Sequence, residues 1–204
     1  LKLVSEEQSD GIDLKALKTV SMARQRNLLR YWLFQKNGFF PDSHHLDAVF
    51  DNVISAREDA NPKLQFAKKE LRRYRNRLYI ITPVVEVPER MTIEYKEGEI
   101  ALPKGCGTIR FTKSDNKGIA EKYLIQADKI EVVWRKGGES IVLKDGHHHS
   151  LKKLYQASAV PPWEREMRPI LYINGRIAQI ASKWSDNRFK ALAAENVIKL
   201  EWEL

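Results

Sequence analysis

Three consecutive histidines, His147, His148 and His149, run into Ser150, Lys152 and Lys153 within "GHHHSLKKLYQASAVPPW", which spans Gly146 to Trp163. Imidazoles can ligate a metal or act as pH-dependent cations, and lysines attract phosphate. A zinc site needs ligands that converge on one point, for instance two histidines at i and i+4 of a helix. Adjacent side chains point apart, and the reading finds no cysteine or carboxylate at ligand spacing, so no metal is expected. An internal run followed by a capped helix does not read as a purification tag. The lysines carry the stronger message. With Ser150 as N-cap they fall at the positive end of a helix, where a cation typically costs about 0.3–1 kcal/mol. Cations and outward-pointing amides at a helix start make an anion site, with phosphate as the natural occupant. The plainer alternative is a structural loop whose lysines reach solvent.

A second constellation lies between Lys63 and Tyr79. Lys63, Lys68, Lys69, Arg72, Arg73, Arg75 and Arg77 stand there against Glu70, with Tyr74 among them. On a β-ribbon, alternate side chains share a face, so these residues predict a phosphate-binding strip with Tyr74 available to stack on a base. A solvated strand edge protected by its charges is the competing account. Arg24, Arg26 and Arg30 add a basic face to a helix, which suits simple solvation equally well. The whole chain has 204 residues with 35 Lys and Arg against 27 Asp and Glu, a net charge of +8. That excess favours a polyanionic partner, either nucleic acid or an anionic membrane surface.

No chemistry of the chain's own is marked. GxxxxGK[ST] and GxGxxG are missing, and Lys136-Gly137-Gly138-Glu139-Ser140 reads as a hairpin turn between two strands. No Ser-His-Asp or Cys-His spacing stands out, so neither a catalytic residue nor a cofactor is expected. Cys106 is the single cysteine, which rules out an internal disulfide and suits a reducing cytoplasm. No apolar run is long enough for a membrane span, and no signal peptide is read at the N-terminus. The chain begins with Leu1 rather than Met, so a piece of a longer protein is one expectation.

The elements that must position these residues follow from periodicity. Asp13–Leu17 suggests a helical turn. Ser21 caps a helix over 22–37 with Leu28, Leu29, Trp32 and Leu33 on one face, and Gly38 stops it. Pro41-Asp42-Ser43 opens a second helix, with Leu46, Val49, Phe50, Val53 and Ile54 at amphipathic spacing, ended by Asn61-Pro62. The helix pair raises a DNA-binding helix-turn-helix, but Asp47, Asp51, Glu58 and Asp59 against Arg57 would repel phosphates. Leu64–Phe66 and "ELRRYRNRLYII" read as strands, broken near Asn76. Residues 82–100 are rich in Pro and Glu and read as a linker. Beyond it, "GTIRFT", "KIEVVWRK", "SIVLK" and "VIKLEW" read as strands, and "ILYINGRIAQIA" as a hairpin turning at Asn174-Gly175. Ser150–Ser158 is one helix, ended by Pro161-Pro162. The predicted class is α+β: a small helical domain closed by a β-ribbon over 1–81, then an α+β domain of mostly antiparallel strands with one helix over 101–204.

"SLKKLYQASAVPPWEREMRPILYINGRIAQIA" resembles the C-terminal domain of the tRNA(Ile)-lysidine synthase family, through Leu151, Lys152, Lys153, Val160, Pro161, Pro162, Trp163, Arg165 and Pro169. "AREDANPKLQFAKKELRRYRNRLYI" is similar to that family's substrate-recognition domain, through Ala56-Arg57-Glu58-Asp59-Ala60 and Arg72-Arg73-Tyr74. The resemblance runs from about Gly11 to Leu204. It implies a parent ligase that uses ATP and lysine to convert the wobble cytidine of an isoleucine tRNA with a CAU anticodon to lysidine. It also implies an N-terminal ATP-pyrophosphatase domain, whose Ser-Gly-Gly-x-Asp-Ser loop this sequence lacks. What carries over is tRNA binding, on Lys68, Lys69, Arg72–Arg75, Arg77, His147–Ser150, Lys152, Lys153 and Arg165. Family relatives bear a basic residue where His149 stands, so the histidines would weaken that contact or make it pH-dependent. A homodimer and a stand-alone nucleic-acid-binding module without catalysis remain open alternatives.

Overall fold

Asp13 shapes the start of the first unit. Its carboxylate accepts the backbone N–H groups of Lys15 at 2.8 Å and Ala16 at 3.2 Å. Strand β1 (Ile12–Asp13) therefore turns straight into helix α1 (Leu14–Lys18). The structure is a computed structural model describing residues 11–204 apart from 39, 58, 59, 67, 84, 85, 116, 117, 193 and 194. The polar residues 1 to about 12 read as a loose segment; 1–10 lie outside the described residues, as do Glu58 and Asp59 of the family-like motif, but Ile12 is buried in β1. The chain divides into two units, 1–83 and 84–204.

Helix α2 (Met22–Asn37) buries Leu29, Trp32 and Leu33. Gly38 ends it at φ 68°, a conformation open to glycine, with its N–H on the Phe34 carbonyl at 2.7 Å. Ser21 precedes the helix without a side-chain capping bond. Helix α3 (Ser43–Val49) is capped by Asp42 and continues as a π-helical turn over Phe50–Ile54. Strands β2 (Lys63–Phe66), β3 (Lys69–Tyr74) and β4 (Arg77–Ile81) follow. With β1 they form an antiparallel sheet in the order β1-β4-β3-β2. Leu71 and Leu78 of the sheet meet Leu14, Leu17, Leu29, Leu33, Leu46, Val49 and Val53 in one core.

The second unit begins inside the stretch read as a linker. Residues 82–100 hold strand β5 (Arg90–Ile93) and most of β6 (Gly98–Ala101). The many glutamates hid them, because a strand half exposed to water tolerates charge on alternate positions. The remaining elements are β7 (Thr108–Ser114), β8 (Ile119–Ala120), α4 (Glu121–Ile125), β9 (Ile130–Val133), β10 (Ser140–Val142), β11 (His148–Ser150), α5 (Leu151–Ala157), α6 (Pro162–Met167), β12 (Ile170–Ile173), β13 (Arg176–Ile180), β14 (Trp184–Ser185) and β15 (Val197–Glu203). They build antiparallel sheets in the orders β14-β13-β12-β9-β5 and β6-β7-β15-β8, and a separate pair β10-β11. The fold is α+β. Pro161-Pro162 does more than stop a helix: Pro162 opens α6, as proline does at a first helical position.

β12 reads as continuously apolar because both faces of its sheet are covered. Leu171 and Ile173 point into a core with Ile109, Phe111, Val132, Ile198 and Leu200. Ile170 points the other way, into a core with Ile141, Leu151, Tyr155, Ile177 and Ile180. The second core seats α5 and the β10–β11 pair on the sheet.

Gly107 illustrates how closely β15 approaches its neighbour. It lies at φ 86°, and a Cβ there would stand 1.9 Å from the Glu203 carbonyl oxygen. Gly107→Ala combines a strained backbone with that collision. It should cost more than about 2 kcal/mol, read as a lower denaturant midpoint at unchanged m value.

Candidate nucleic-acid interface

His148 and His149 lie on a strand, with His147 at the end of the turn that leads into it. β11 pairs with β10 in the register Ser140↔Ser150, Ile141↔His149 and Val142↔His148. The turn between them closes through Gly146 N–H on the Leu143 carbonyl at 2.9 Å and Leu143 N–H on the His147 carbonyl at 3.2 Å. Asp145 sits in that turn. One carboxylate oxygen accepts the His147 backbone N–H at 3.0 Å, and the other lies 2.8 Å from His149 Nε2. The His147 amide, followed by the His149 ring, holds the Asp145 carboxyl below its usual range. This carboxylate, four residues before His149, is the partner the sequence reading missed. Among the described residues no three His, Cys, Asp or Glu side chains converge as a metal site.

Ser150 stands at the N-cap as expected, but the first amide of the expected cradle is already taken. Ser150 makes no side-chain capping bond, and the Leu151 N–H donates to the Glu139 carbonyl at 2.9 Å. What α5 offers an anion is side-chain charge. Lys144, His147, His148, Lys152 and Lys153 are all exposed, and no carboxylate among the described residues pairs with either Lys152 or Lys153. Lys144 was also missed, although its place in the turn beside the histidines was a signal. Lys136–Glu139 is likewise no hairpin turn, since β9 pairs with β5 and β12 while β10 pairs with β11. Glu139 occupies its amides, accepting from Lys136 N–H at 2.6 Å and Gly137 N–H at 2.7 Å. An internal carboxylate thus fills the position a phosphate would take.

Asp186, which the sequence reading passed over, holds this hairpin to the sheet. It is fully buried and accepts the Val142 N–H of β10 at 3.0 Å. It also accepts the Arg188 N–H at 2.9 Å and two guanidinium donors of Arg188 at 2.8 Å. Burial pushes its pKa up, but the Arg188 guanidinium, Arg188 amide and Val142 amide outweigh burial and hold it below the usual value. Arg165 is spent on structure too: its Nε donates to the Val160 carbonyl at 2.7 Å.

In the first unit, register sorts the strip. Lys63, Arg72 and Tyr79 lie in one row across β2, β3 and β4, and Tyr74 pairs with Arg77 on the same face. Arg72 bonds Glu70 through Nε at 2.7 Å. Lys69 and Arg73 share the opposite face with Leu71 and Leu78. The Lys69 ammonium donates to the Lys36 carbonyl at the end of α2. Arg73 donates to the Ile54 carbonyl at 2.8 Å and the Ala56 carbonyl at 2.7 Å. Lys68 and Arg75 are exposed at the two turns, and the Arg75 guanidinium lies 5.6 Å from the Tyr74 ring centre. In α2, Arg26 pairs with Asp47 at 2.7 Å and Arg30 bonds the Pro41 carbonyl at 3.2 Å, so both hold α3 and the segment before it.

Comparison with known proteins connects both surfaces. The family profile "TilS substrate binding domain" matches residues 12–79, and "TilS substrate C-terminal domain" matches 130–202. Together they match more than half of the chain. The chain belongs to the tRNA(Ile)-lysidine synthase family. The synthase of Serratia proteamaculans is 29% identical over 86% of this chain and 39% of its own length. That of Vibrio campbellii is 30% identical over 92% of this chain and 42% of its own length. The chain thus spans about two fifths of the length of these curated relatives. A solved structure titled "Crystal structure of TILS C-terminal domain" aligns with 57% of this chain and 99% of its own, at 18% identity and a TM-score of 0.42. Arg73 and Arg165, both among the residues that carried the family resemblance, are fastened to backbone carbonyls here.

Two variants check this sorting. Arg73→Ala leaves the Ile54 and Ala56 carbonyls without their donor and should cost about 1–3 kcal/mol, whereas Arg75→Ala should leave the denaturation midpoint nearly unchanged. Asp186→Ala should cost at least about 2 kcal/mol and speed amide exchange in β10. A depressed folded pKa means that the carboxylate stabilises the fold above its usual value of 3.8 and stops doing so as pH falls through the lower folded value. Wild-type stability should therefore drop more steeply than that of Asp186→Ala when acid is added below about pH 4, followed by urea midpoints.

Proposed function

We propose that this chain is the tRNA-gripping region of a tRNA(Ile)-lysidine synthase. In this reading the two units hold an isoleucine tRNA with a CAU anticodon by its backbone. An N-terminal ATP-pyrophosphatase domain adenylates the wobble cytidine, and the lysine amine then displaces AMP. ATP and lysine are substrates of that domain, and the setting is the cytoplasm. Among the described residues no helix is long and apolar enough to cross a membrane. One observation carries the proposal. In a domain of this family, Lys144, Lys152 and Lys153 stand exposed around one hairpin, beside His147 and His148, over a buried anchor that holds them in place. Cations arranged this way attract phosphate oxygens without reading bases. In the first unit, Lys63, Lys68 and Arg75 are exposed and would serve the same purpose.

The test is salt dependence. Lys152→Ala/Lys153→Ala should weaken different tRNAs about equally and lower the slope of log affinity against log salt by about one to two. Thermal melting should be unchanged, since both side chains are exposed. An unchanged slope would count against the proposal.

A further inference from the structure

We infer that a cavity of about 400 Å³ in the second unit, lined by Tyr123, Gln126, Ile173, Asn174, Arg176 and Phe189, is a receptor for a single unpaired nucleobase. The inference rests on the reading of this unit as an RNA-binding domain and adds a site that takes a base rather than backbone alone. The volume lies in the range that encloses a small ligand.

Its floor is apolar. Ile173 and Phe189 are buried among core residues, and the Phe189 ring meets Tyr123 at 5.3 Å between centres and 80° between planes. Two rings set at that angle form a corner, in which a planar guest stacks on one and meets the other edge-on. Around the rim are two carboxamides and a guanidinium, and among the described residues no carboxylate lines the cavity. Arg176 is exposed, with no carboxylate pairing with it among the described residues. A flat apolar guest alone would need none of these groups. A nucleotide has donors and acceptors on its base edge and a phosphate on its sugar, and these groups match such a rim.

One polar group of the rim, Asn174, is held in position before any ligand arrives. Asn174 sits at φ 48° and Gly175 at φ 75° in the two-residue turn of the β12–β13 hairpin. The Asn174 backbone N–H donates to the Lys129 carbonyl at 2.9 Å, and its side-chain oxygen accepts the Lys129 N–H at 2.9 Å. The carboxamide oxygen is therefore committed, and its NH₂ is left as a donor of fixed direction. Arg176 follows two residues later, at the start of β13. A carboxamide fixed in this way loses little conformational entropy on binding.

The test uses the whole chain and fluorescence anisotropy with two RNAs: a blunt hairpin, and the same hairpin with a short single-stranded 3′ extension. The extended RNA should bind at least about fivefold more tightly, the lower end of what stacking one base on an aromatic ring contributes. Gln126→Ala/Arg176→Ala changes two exposed side chains, so folding should survive, as circular dichroism would verify. That variant should lose the gain from the extension and bind the blunt hairpin as before. A 2-aminopurine in the extension should be quenched by the wild type and not by the variant. Equal binding of both RNAs by the wild type would overturn the base receptor while leaving the backbone grip standing. Failure to bind either RNA would overturn both. Loss of blunt-hairpin affinity in the variant would reduce Arg176 to one more phosphate contact and overturn the receptor as well.

Discussion

Short helices leave a large share of their carbonyls without an intrahelical partner, and in this chain long basic side chains supply the missing donors. Lys69 reaches the end of α2, and Arg73 reaches past the π-helical turn to Ile54 and Ala56. Arg165 holds Val160 in the connection between α5 and α6. Lys69 and Arg73 each tie a helix end to a separate strand, whereas Arg165 ties α6 to the carbonyl just before it. The packing of helices on sheet in the first unit, and of the α5–α6 corner in the second, depends on this arrangement. An excess of positive charge is thus divided between inward work on the backbone and outward attraction for an anion.

That division explains what the sequence could and could not tell. The basic strip from Lys63 to Arg77 was legible as a strip, because composition is visible in a string of letters. Its split into two faces was not. Period 2 alternation puts Arg73 with Leu71, but only the three-dimensional neighbourhood shows which face meets α3. The elements with strong local signals were readable: α2 with its Gly38 stop, and the Asn174-Gly175 turn between apolar arms. β5 and β6 were not, since Glu94, Glu97 and Glu99 made a half-exposed stretch resemble a linker. The pairing partner of β10 was also beyond local reasoning. Lys136–Ser140 had every feature of a hairpin turn, yet β9 pairs elsewhere.

Asp186 is the clearest case of a functional support that leaves no trace in its own neighbourhood. Nothing about "WSDNRF" marks it, because its importance comes from Val142, 44 residues earlier. Burying an aspartate is costly unless every lone pair is used, and here Arg188 and two backbone amides use them. The hairpin with its lysines and histidines is short, two-stranded and unable to hold its position alone. A buried charge in the sheet below fixes where the surface charges stand.

The place of β15 has a consequence for how the molecule is made. This strand lies between β7 and β8 in its sheet, pairing with Thr108–Ser114 and Ile119–Ala120. Every residue from 84 to about 200 must therefore leave the ribosome before the second core can close, whereas the first unit has all its strands by residue 81. During that interval β7 exposes an unpaired edge and the apolar side chains Ile109 and Phe111 to the cell. A nascent chain of this protein is thus half folded and half adhesive for several seconds, at a synthesis rate of about 5–20 residues per second.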